Sequence, residues 1–221
     1  MNAKGILDQL MKQAGGSSKE GLGIGKLAGG GALGMLLGTK RGRKLGATGL
    51  KYGALAGVGV LAWKAWQHYQ QNQQTGQDEG QAMGSGAPGS SEKEVPLEQL
   101  EGDAQEQRSL AILEAMIAAA RADGHIDADE RARLVDQIDA LGADDELHAW
   151  IEQCMDAPLD AQRIARKADS PQAAREMYLA SLAIIDEQNP MERAWLDQLA
   201  AALGLAPGVA RELESQATSM A

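Results

Sequence analysis

Apolar residues recur at helical spacing throughout residues 98–221. The recurrence is clearest in two runs, Leu110, Leu113, Ile117 and Ala120, followed by Leu134, Ile138 and Leu141. In each run the side chains share one face of a helix. No stretch of useful length alternates apolar and polar residues in the way a half-buried strand does. The pattern therefore predicts an all-α domain.

Helix-breaking residues divide this domain into shorter helices. They lie at Gly124, Gly142, Pro158, Pro171, Pro190, Gly204 and Pro207. About seven helices are predicted, near residues 105–122, 128–141, 144–156, 160–168, 172–187, 190–203 and 207–218. A weak internal repeat also appears, because a shift of about 62 residues places Ala140, Leu141 and Gly142 on Ala202, Leu203 and Gly204. We expect a bundle built from two related helical hairpins.

The region before this domain has a different pattern, since residues 21–66 are mostly apolar and rich in glycine. Glycine recurs every four residues in three runs, which include Gly30, Gly34 and Gly38 and also Gly49, Gly53 and Gly57. Such stripes weaken a helix in water but let two helices pack closely in a membrane. We predict that these glycines mediate helix packing, and the alternative is a flexible glycine-rich tail.

Residues 45–66 reach the roughly 20 apolar residues that a membrane-spanning helix needs. Residues 22–38 form a candidate partner helix, which would make a helical hairpin. The basic residues Lys40, Arg41, Arg43 and Lys44 precede the predicted span, and the aromatic residues Trp63 and Trp66 lie at its far end. Both groups are typical of a membrane interface. Residues 1–70 are therefore predicted to be a membrane-anchoring region.

Residues 71–97 are polar and rich in Gly, Gln and Ser, and they predict a disordered linker. The charge changes sign across it. Residues 1–70 carry ten Lys or Arg against two acids, whereas residues 98–221 carry ten against 25. An acidic domain disfavours a nucleic-acid-binding face there, because phosphate binding needs clustered basic residues. The predicted partners are a lipid bilayer, further copies of the chain and an unknown protein.

The stretch "ARADGHIDADER", residues 120–131, is the densest candidate site. Asp127 and Glu130 have the spacing of a capping box at a helix start. In the second half of the repeat, Asn189, Pro190 and Glu192 provide a helix cap, a first helical residue and an acid at its third position. Helix capping and ion pairs therefore account for much of this acidity.

Asp123 and Asp186 are not explained by capping, because each lies near the C-terminal end of a predicted helix. A carboxylate there meets the negative end of the helix dipole and needs compensation. An arginine, Arg121, Arg131 or Arg193, could supply it. A divalent cation such as Ca²⁺, Mg²⁺ or Mn²⁺ is the other interpretation, since hard cations bind carboxylate oxygens. The candidate ligands are Asp123, Asp127, Glu130, Asp186 and Glu192.

Other candidate chemistry is weaker. His125 could join a metal site, but a histidine in a turn is usually solvated. Cys154 is the single cysteine, and it lies in a helical pattern with no base beside it, which predicts a buried structural thiol. No catalytic residue or cofactor-binding motif is recognised, so we expect a protein that is not an enzyme.

The motif "AARADGHIDADER" and its echo "AIIDEQNPMER" resemble the TerB-like family, which is named for tellurite resistance. The order of glycine-rich region, linker and acidic helical domain resembles the YebE-like proteins of the bacterial inner membrane. By position, the acidic motif falls on Asp123, Gly124 and Glu130, and on Asp186 and Glu192 in the second copy. The second copy lacks the glycine after Asp186, which departs from the pattern.

The resemblance implies a membrane-anchored, non-enzymatic protein that links cation or partner binding to envelope or metal stress. The expected location is the inner membrane, with the C-terminal domain in the periplasm or otherwise in the cytoplasm. The alternative is a structural or assembly protein that oligomerises through its glycine stripes. In that case the acidic domain would be a docking surface without metal.

The glycine stripes can be tested by substitution. If they pack helices together in the bilayer, replacing Gly53 and Gly57 with leucine should abolish oligomers detected by cross-linking, because bulky side chains hold the backbones apart. Asp123→Asn should leave the same oligomers intact and is the control. Oligomers that survive both leucine substitutions would exclude the stripe as the contact.

Overall fold

A computed structural model describes residues 2–15, 58–75, 94–124, 131, 142–185 and 190–219. The described residues form α-helices and one short 3₁₀ turn, Leu97–Gln99, and contain no β-strand, which confirms the all-α prediction for these ranges. The helices are α1 Ala3–Gly15, α2 Val58–Thr75, α3 Gly102–Ala120, α4 Asp145–Asp156, α5 Ala161–Ala165, α6 Pro171–Leu182, α7 Pro190–Ala202 and α8 Pro207–Ser219.

Most helix limits follow from local sequence signals. Asp144 accepts a hydrogen bond from the Leu147 N–H at 2.8 Å and begins α4. Ser170 caps α6 in the same way, and Pro171 takes its first position, where the missing N–H costs nothing. The predicted helix near 128–141 lies largely outside the described residues, although Arg131 is helical.

Glycine ends three of the predicted helical segments for a conformational reason. Gly124, Gly142 and Gly204 have φ values of 91°, 81° and 67°, which lie in the left-handed region that favours glycine. After α7, the Leu205 N–H bonds to the Ala200 carbonyl at 3.0 Å, which closes the helix in a Schellman arrangement. Gly142 and Gly204 are equivalent in the repeat, and both have a positive φ at this position.

Helix α6 is the centre of the core. Every residue from Gln172 to Leu182 is buried, and α2, α3, α7 and α8 pack around the helix. The buried apolar side chains include Ile112, Leu147, Ile164, Leu196 and Leu213. Helix α5 is joined to α3 by ion pairs from Arg163 and Lys167 to the buried Glu114 carboxylate. The domain thus has one core around a single central helix.

Helix α1 also packs on this core. Ile6 and Leu7 are buried, and the Glu106 carboxylate of α3 accepts hydrogen bonds from the Ala3 and Lys4 N–H groups at 2.7 and 3.2 Å. A carboxylate at a helix N-terminus satisfies free donors and complements the helix dipole. The beginning of the chain is therefore held against α3.

The predicted span 45–66 needs a correction at its C-terminal end. Residues 58–66 belong to α2, which packs against α6 and α8, and Val58, Ala62 and Ala65 are buried in the common core. The remainder of the predicted span lies outside the described residues. Among the helices that the structure describes, none is both long and apolar enough to cross a bilayer.

The predicted linker 71–97 is structured at both ends. Helix α2 continues to Thr75, and the chain from residue 94 onward is held against α3 and α6. Leu97 is buried, and the Val95 carbonyl accepts a hydrogen bond from Arg108 at 2.7 Å. These two contacts could not be read from the sequence, because they join residues that carry no local signal.

The cap of α4 gives a stability prediction. Asp144→Ala should lower the free energy of unfolding by about 1 kcal/mol, because the Leu147 N–H loses its acceptor. Chemical denaturation of the full chain measures this change. The neighbouring Asp145→Ala is the matched control, since Asp145 is exposed in the first turn of the same helix. Equal effects of the two substitutions would contradict the capping role.

Candidate functional site

The first acidic turn follows directly from the end of α3. The Gly124 N–H bonds to the Arg121 carbonyl at 2.9 Å, which folds the chain back after the helix. Asp123 therefore lies within a turn just beyond the carbonyl end of α3, as the sequence predicted. The Asp123 carboxylate therefore lies near the negative end of the α3 helix dipole.

The structure brings this turn to the start of α7. A Cβ atom added to Gly124 would lie 3.6 Å from the Met191 methyl carbon, which is a van der Waals contact distance. Met191 is the second residue of α7, and Glu192 follows it in the first turn. The acidic turn of the first repeat thus adjoins the acidic helix start of the second, a proximity between residues almost 70 positions apart in sequence.

Only part of the predicted cation site falls on described residues. Asp123 and Glu192 are described, whereas Asp127, Glu130 and Asp186 lie outside the described ranges, as does His125. Within those ranges, no three His, Cys, Asp or Glu side chains lie close enough together to hold a metal ion. The five-ligand site therefore stays a prediction.

The three arginines considered as ion-pair partners of Asp123 all form contacts that connect parts of the domain. Arg121 donates to the Cys154 and Ala157 carbonyls at 2.9 and 2.7 Å and so caps the C-terminal end of α4. Arg131 forms two hydrogen bonds with Asp156, and these hold the pKa of that carboxyl below its ordinary value.

Arg193 belongs to a separate cluster between α7 and α8. Its guanidinium contacts Asp197 at 2.7 Å and Glu214 at 2.9 Å. Glu214 also accepts a hydrogen bond from the Tyr178 hydroxyl at 2.7 Å. Burial and this carboxylate raise the pKa of Tyr178, so the hydroxyl keeps its proton as the donor. Arg193 therefore helps to fix α8 against α6 and α7.

A second polar centre, which the sequence analysis did not identify, lies beneath α2. Arg108 is 5% exposed, and its guanidinium donates to Asp169, Ser170, the Val95 carbonyl and Glu176. Two bonds go to Asp169, so all five N–H donors of the guanidinium are used. One arginine therefore joins α3 to α6 and to the segment before α3.

Glu176 and Gln172 extend this centre to α2. Glu176 is fully buried and accepts hydrogen bonds from the Leu97 N–H and from the Gln172 amide, both at 2.9 Å. The same Gln172 amide donates to the Gly59 carbonyl at 2.8 Å. Burial raises the pKa of Glu176, while the contacts with Gln172 and Arg108 oppose that shift. We call Arg108, Gln172, Arg175 and Glu176 the buried polar cluster.

The sequence did carry a signal for this cluster. Gln172, Arg175 and Glu176 have spacings of three and four residues, which place them on one helix face. A polar face on a helix that is otherwise rich in Ala, Met and Leu predicts either solvent exposure or a buried network. Only the tertiary structure shows that α2 covers this face.

Some of the predicted membrane-interface residues lie within the described ranges, and others lie outside them. The basic residues Lys40, Arg41, Arg43 and Lys44 lie outside the described residues, as do all six glycines chosen for helix packing. Trp63 is partly exposed on α2. Trp66 stacks on Tyr69 with ring centroids 5.8 Å apart, and the Arg175 guanidinium lies 4.8 Å from the Trp66 ring. Trp66 thus contacts the domain itself in this structure.

Comparison with known proteins identifies the family. The family described as "Protein of unknown function (DUF533)" matches residues 22–217. The chain belongs to this family. DUF533 is a TerB-like family, which confirms the coarser part of the resemblance. The match begins in the glycine-rich region and ends in α8, so it includes both the predicted membrane segment and the helical domain.

A second comparison gives a relative within the curated proteins. The "Uncharacterized protein in ampR 5'region" of Yersinia enterocolitica is 32% identical to this DUF533 chain over 109 residues. The alignment covers 49% of this chain and 78% of that protein. No solved structure matches the chain. These matches establish the family of the chain, and neither of them names an activity.

Cys154 provides a prediction about pH. The side chain is 8% exposed, which confirms a buried thiol, and burial raises its pKa from 9.0 to about 11. Between those values the unfolded chain loses the thiol proton and the folded chain keeps it, so rising pH should reduce stability. Urea unfolding at several pH values measures the loss. Cys154→Ala should show a smaller loss across the same window, and an unchanged slope would contradict the assignment.

Proposed function

We propose that this DUF533 protein is a membrane-anchored, non-enzymatic TerB-like module in which a divalent cation binds where the two acidic turns adjoin. Cation binding would alter contact with a partner protein and so connect the chain to envelope or metal stress. The observation that carries the proposal is the proximity of the Gly124 turn to Met191, because it brings acidic elements from both repeats together.

The chemistry of the turn favours a cation. Asp123 follows the C-terminal end of α3, where the helix dipole disfavours negative charge. A bound cation offsets both the dipole and the carboxylates, and hard divalent ions take oxygen ligands from such groups. Asp127, Glu130, Asp186 and Glu192 are the further proposed ligands, and Ca²⁺, Mg²⁺ or Mn²⁺ are the proposed ions. The acidic surface of residues 98–221 would attract them.

The packing of α1 bears on the proposed anchor. Helix α1 packs on α3 of the domain, and the domain follows the predicted membrane segment in sequence, so the chain enters and leaves that segment on one side. A segment of that kind crosses a bilayer an even number of times. This supports a hairpin that uses residues 22–38 as the partner, rather than a single span. With its basic loop in the cytoplasm, the hairpin would put the domain in the periplasm.

The assembly hypothesis is retained as the competing proposal. Its glycine stripes fall outside the described residues, and it assigns no cation to the acidic turns. The two proposals differ in what Asp123 does, since the carboxylate is a ligand in the first and a surface charge in the second.

The cation hypothesis is tested by calorimetric titration of Ca²⁺, Mg²⁺, Mn²⁺ and Zn²⁺ into the full chain in detergent. Saturable binding of one ion is expected, and the double substitution Asp123→Asn, Asp186→Asn should remove it because two ligand carboxylates are lost. Asp103→Asn is the matched control, since Asp103 is an exposed acid at the opposite end of α3.

Two results would reject the cation site. One is the absence of binding heat with every ion tested. The other is binding that persists in the Asp123→Asn, Asp186→Asn protein, which would place the ion elsewhere. A double mutant more stable than the parent, with no ion bound by either, would instead support a purely structural acidic turn.

A further inference from the structure

Helix α2 approaches the domain unusually closely at Gly59. A Cβ atom at this position would lie 2.7 Å from both the Leu97 nitrogen and a Glu176 carboxylate oxygen, and even closer to Glu98. Side-chain carbons essentially never approach other atoms so closely, and the Leu97 nitrogen belongs to the backbone. Glycine is therefore required at residue 59 for α2 to dock.

Polar groups of the domain recognise the Gly59 backbone directly. The Gly59 N–H donates to Glu98 at 3.0 Å, and the Gly59 carbonyl accepts from Gln172 at 2.8 Å. Glu98 and Gln172 thus bind both backbone polar groups of this one residue.

A second close approach fixes the other end of α2. Tyr69 lies against Gly208 in the first turn of α8, and a Cβ atom at Gly208 would be 2.5 Å from the Tyr69 ring. His68, one residue earlier, contacts Glu212 at 2.8 Å. Two close approaches, one at Gly59 of α2 and one at Gly208 of α8, therefore determine the docked position of α2.

The charged side chains beneath α2 also have partners that do not belong to α2. Glu176 keeps its contacts with Arg108 and with the Leu97 N–H, and Arg175 keeps its hydrogen bond to Glu94 at 2.6 Å. The polar contacts made with α2 include the Gly59 backbone bonds, the Trp66 ring and the bond between His68 and Glu212. Val58, Ala62 and Ala65 add a buried apolar contact with the common core, and the bilayer would have to replace that contact when α2 leaves the domain.

The first residues of α2 also belong to the predicted membrane span. Without residues 58–66, the span is limited to residues 45–57, which as a helix would reach only about 20 Å against a hydrocarbon core of roughly 30 Å. Residues 58–66 cannot contact the domain and complete a span at the same time. Docking of α2 on the domain and full insertion of the predicted span therefore exclude each other.

We propose that α2 exchanges between its docked position on α6 and α8 and the end of a membrane-inserted helix, so that the domain surface and the lipid bilayer compete for residues 58–66. The inference rests on the membrane anchoring in the proposed function but not on the cation site. In the docked state α2 covers the buried polar cluster, and in the inserted state that surface is exposed.

Gly59→Ala separates the two states. Alanine is a better helix former than glycine, so the substitution favours the helix itself but blocks docking at the Leu97 backbone. Gly208→Ala should act similarly from the opposite end and guards against a folding defect specific to the first variant. Gly5→Ala is the matched control, because a Cβ atom there meets nothing within 4 Å and Gly5 also lies in a helix.

Two measurements on the full chain complete the test. Hydrogen exchange without vesicles reports docking, and the α2 amides of Gly59→Ala should exchange roughly 5- to 150-fold faster, the range expected from overpacking a tight contact. Flotation with vesicles of equal parts phosphatidylethanolamine and phosphatidylglycerol reports membrane binding. Both glycine variants should float more completely than the parent and Gly5→Ala.

The outcomes distinguish this inference from the anchor on which it rests. Faster α2 exchange without greater flotation, in a parent protein that does float, would overturn the competition while leaving the anchor intact. Failure of every protein to float would reject the anchor and the competition together. Unchanged α2 exchange in both Gly59→Ala and Gly208→Ala would show that the close approaches do not control docking, which also overturns the proposal.

Discussion

The interaction on which the rest of the structure depends is the buried ion pair between Arg108 and Glu176. It lies between α3 and α6, and each partner makes further hydrogen bonds to the backbone before α3. Removing two charges from water is costly unless every donor and acceptor is satisfied. That requirement specifies one arrangement of the surrounding segments, because any shift would leave a buried charge without its partner. The pair therefore determines where residues 94–100 run and, through Gln172, where α2 begins.

The same arrangement explains why the two ends of the glycine-rich region meet one domain. Glu106 holds the first turn of α1 on α3, and the buried polar cluster holds the first turn of α2 on α6. In both cases a side chain of the domain forms a hydrogen bond with the backbone of a helix that precedes the domain in sequence. A membrane topology proposed for the intervening segment therefore has to keep α1 on the same side as the domain.

The acidic turns and the docked helix are separate features of the DUF533 domain. The Gly124 turn at the end of α3 lies beside the start of α7, whereas α2 covers α6 and α8. Helix α6 contacts both α2 and α7, so it is the element through which a change at one feature would reach the other. Such coupling would need two discrete positions of a packed element, and the exchange of α2 supplies a defined pair of positions.

The sequence by itself determined the helical class and most helix limits in the domain. Caps such as Asp144 and Ser170, and glycines such as Gly124 and Gly204, act within a few residues of their own position, so their effects can be read locally. The tertiary structure alone decided the contact of the Gly124 turn with Met191 and the docking of α2. Both depend on residues far apart in the chain, and the docking at Gly59 arises from the absence of a side chain, which a hydropathy pattern cannot distinguish from a membrane-packing glycine. The composition of residues 58–66 is compatible with either lipid or protein, and only the tertiary structure shows the apolar core and the complementary polar groups that hold them on the domain.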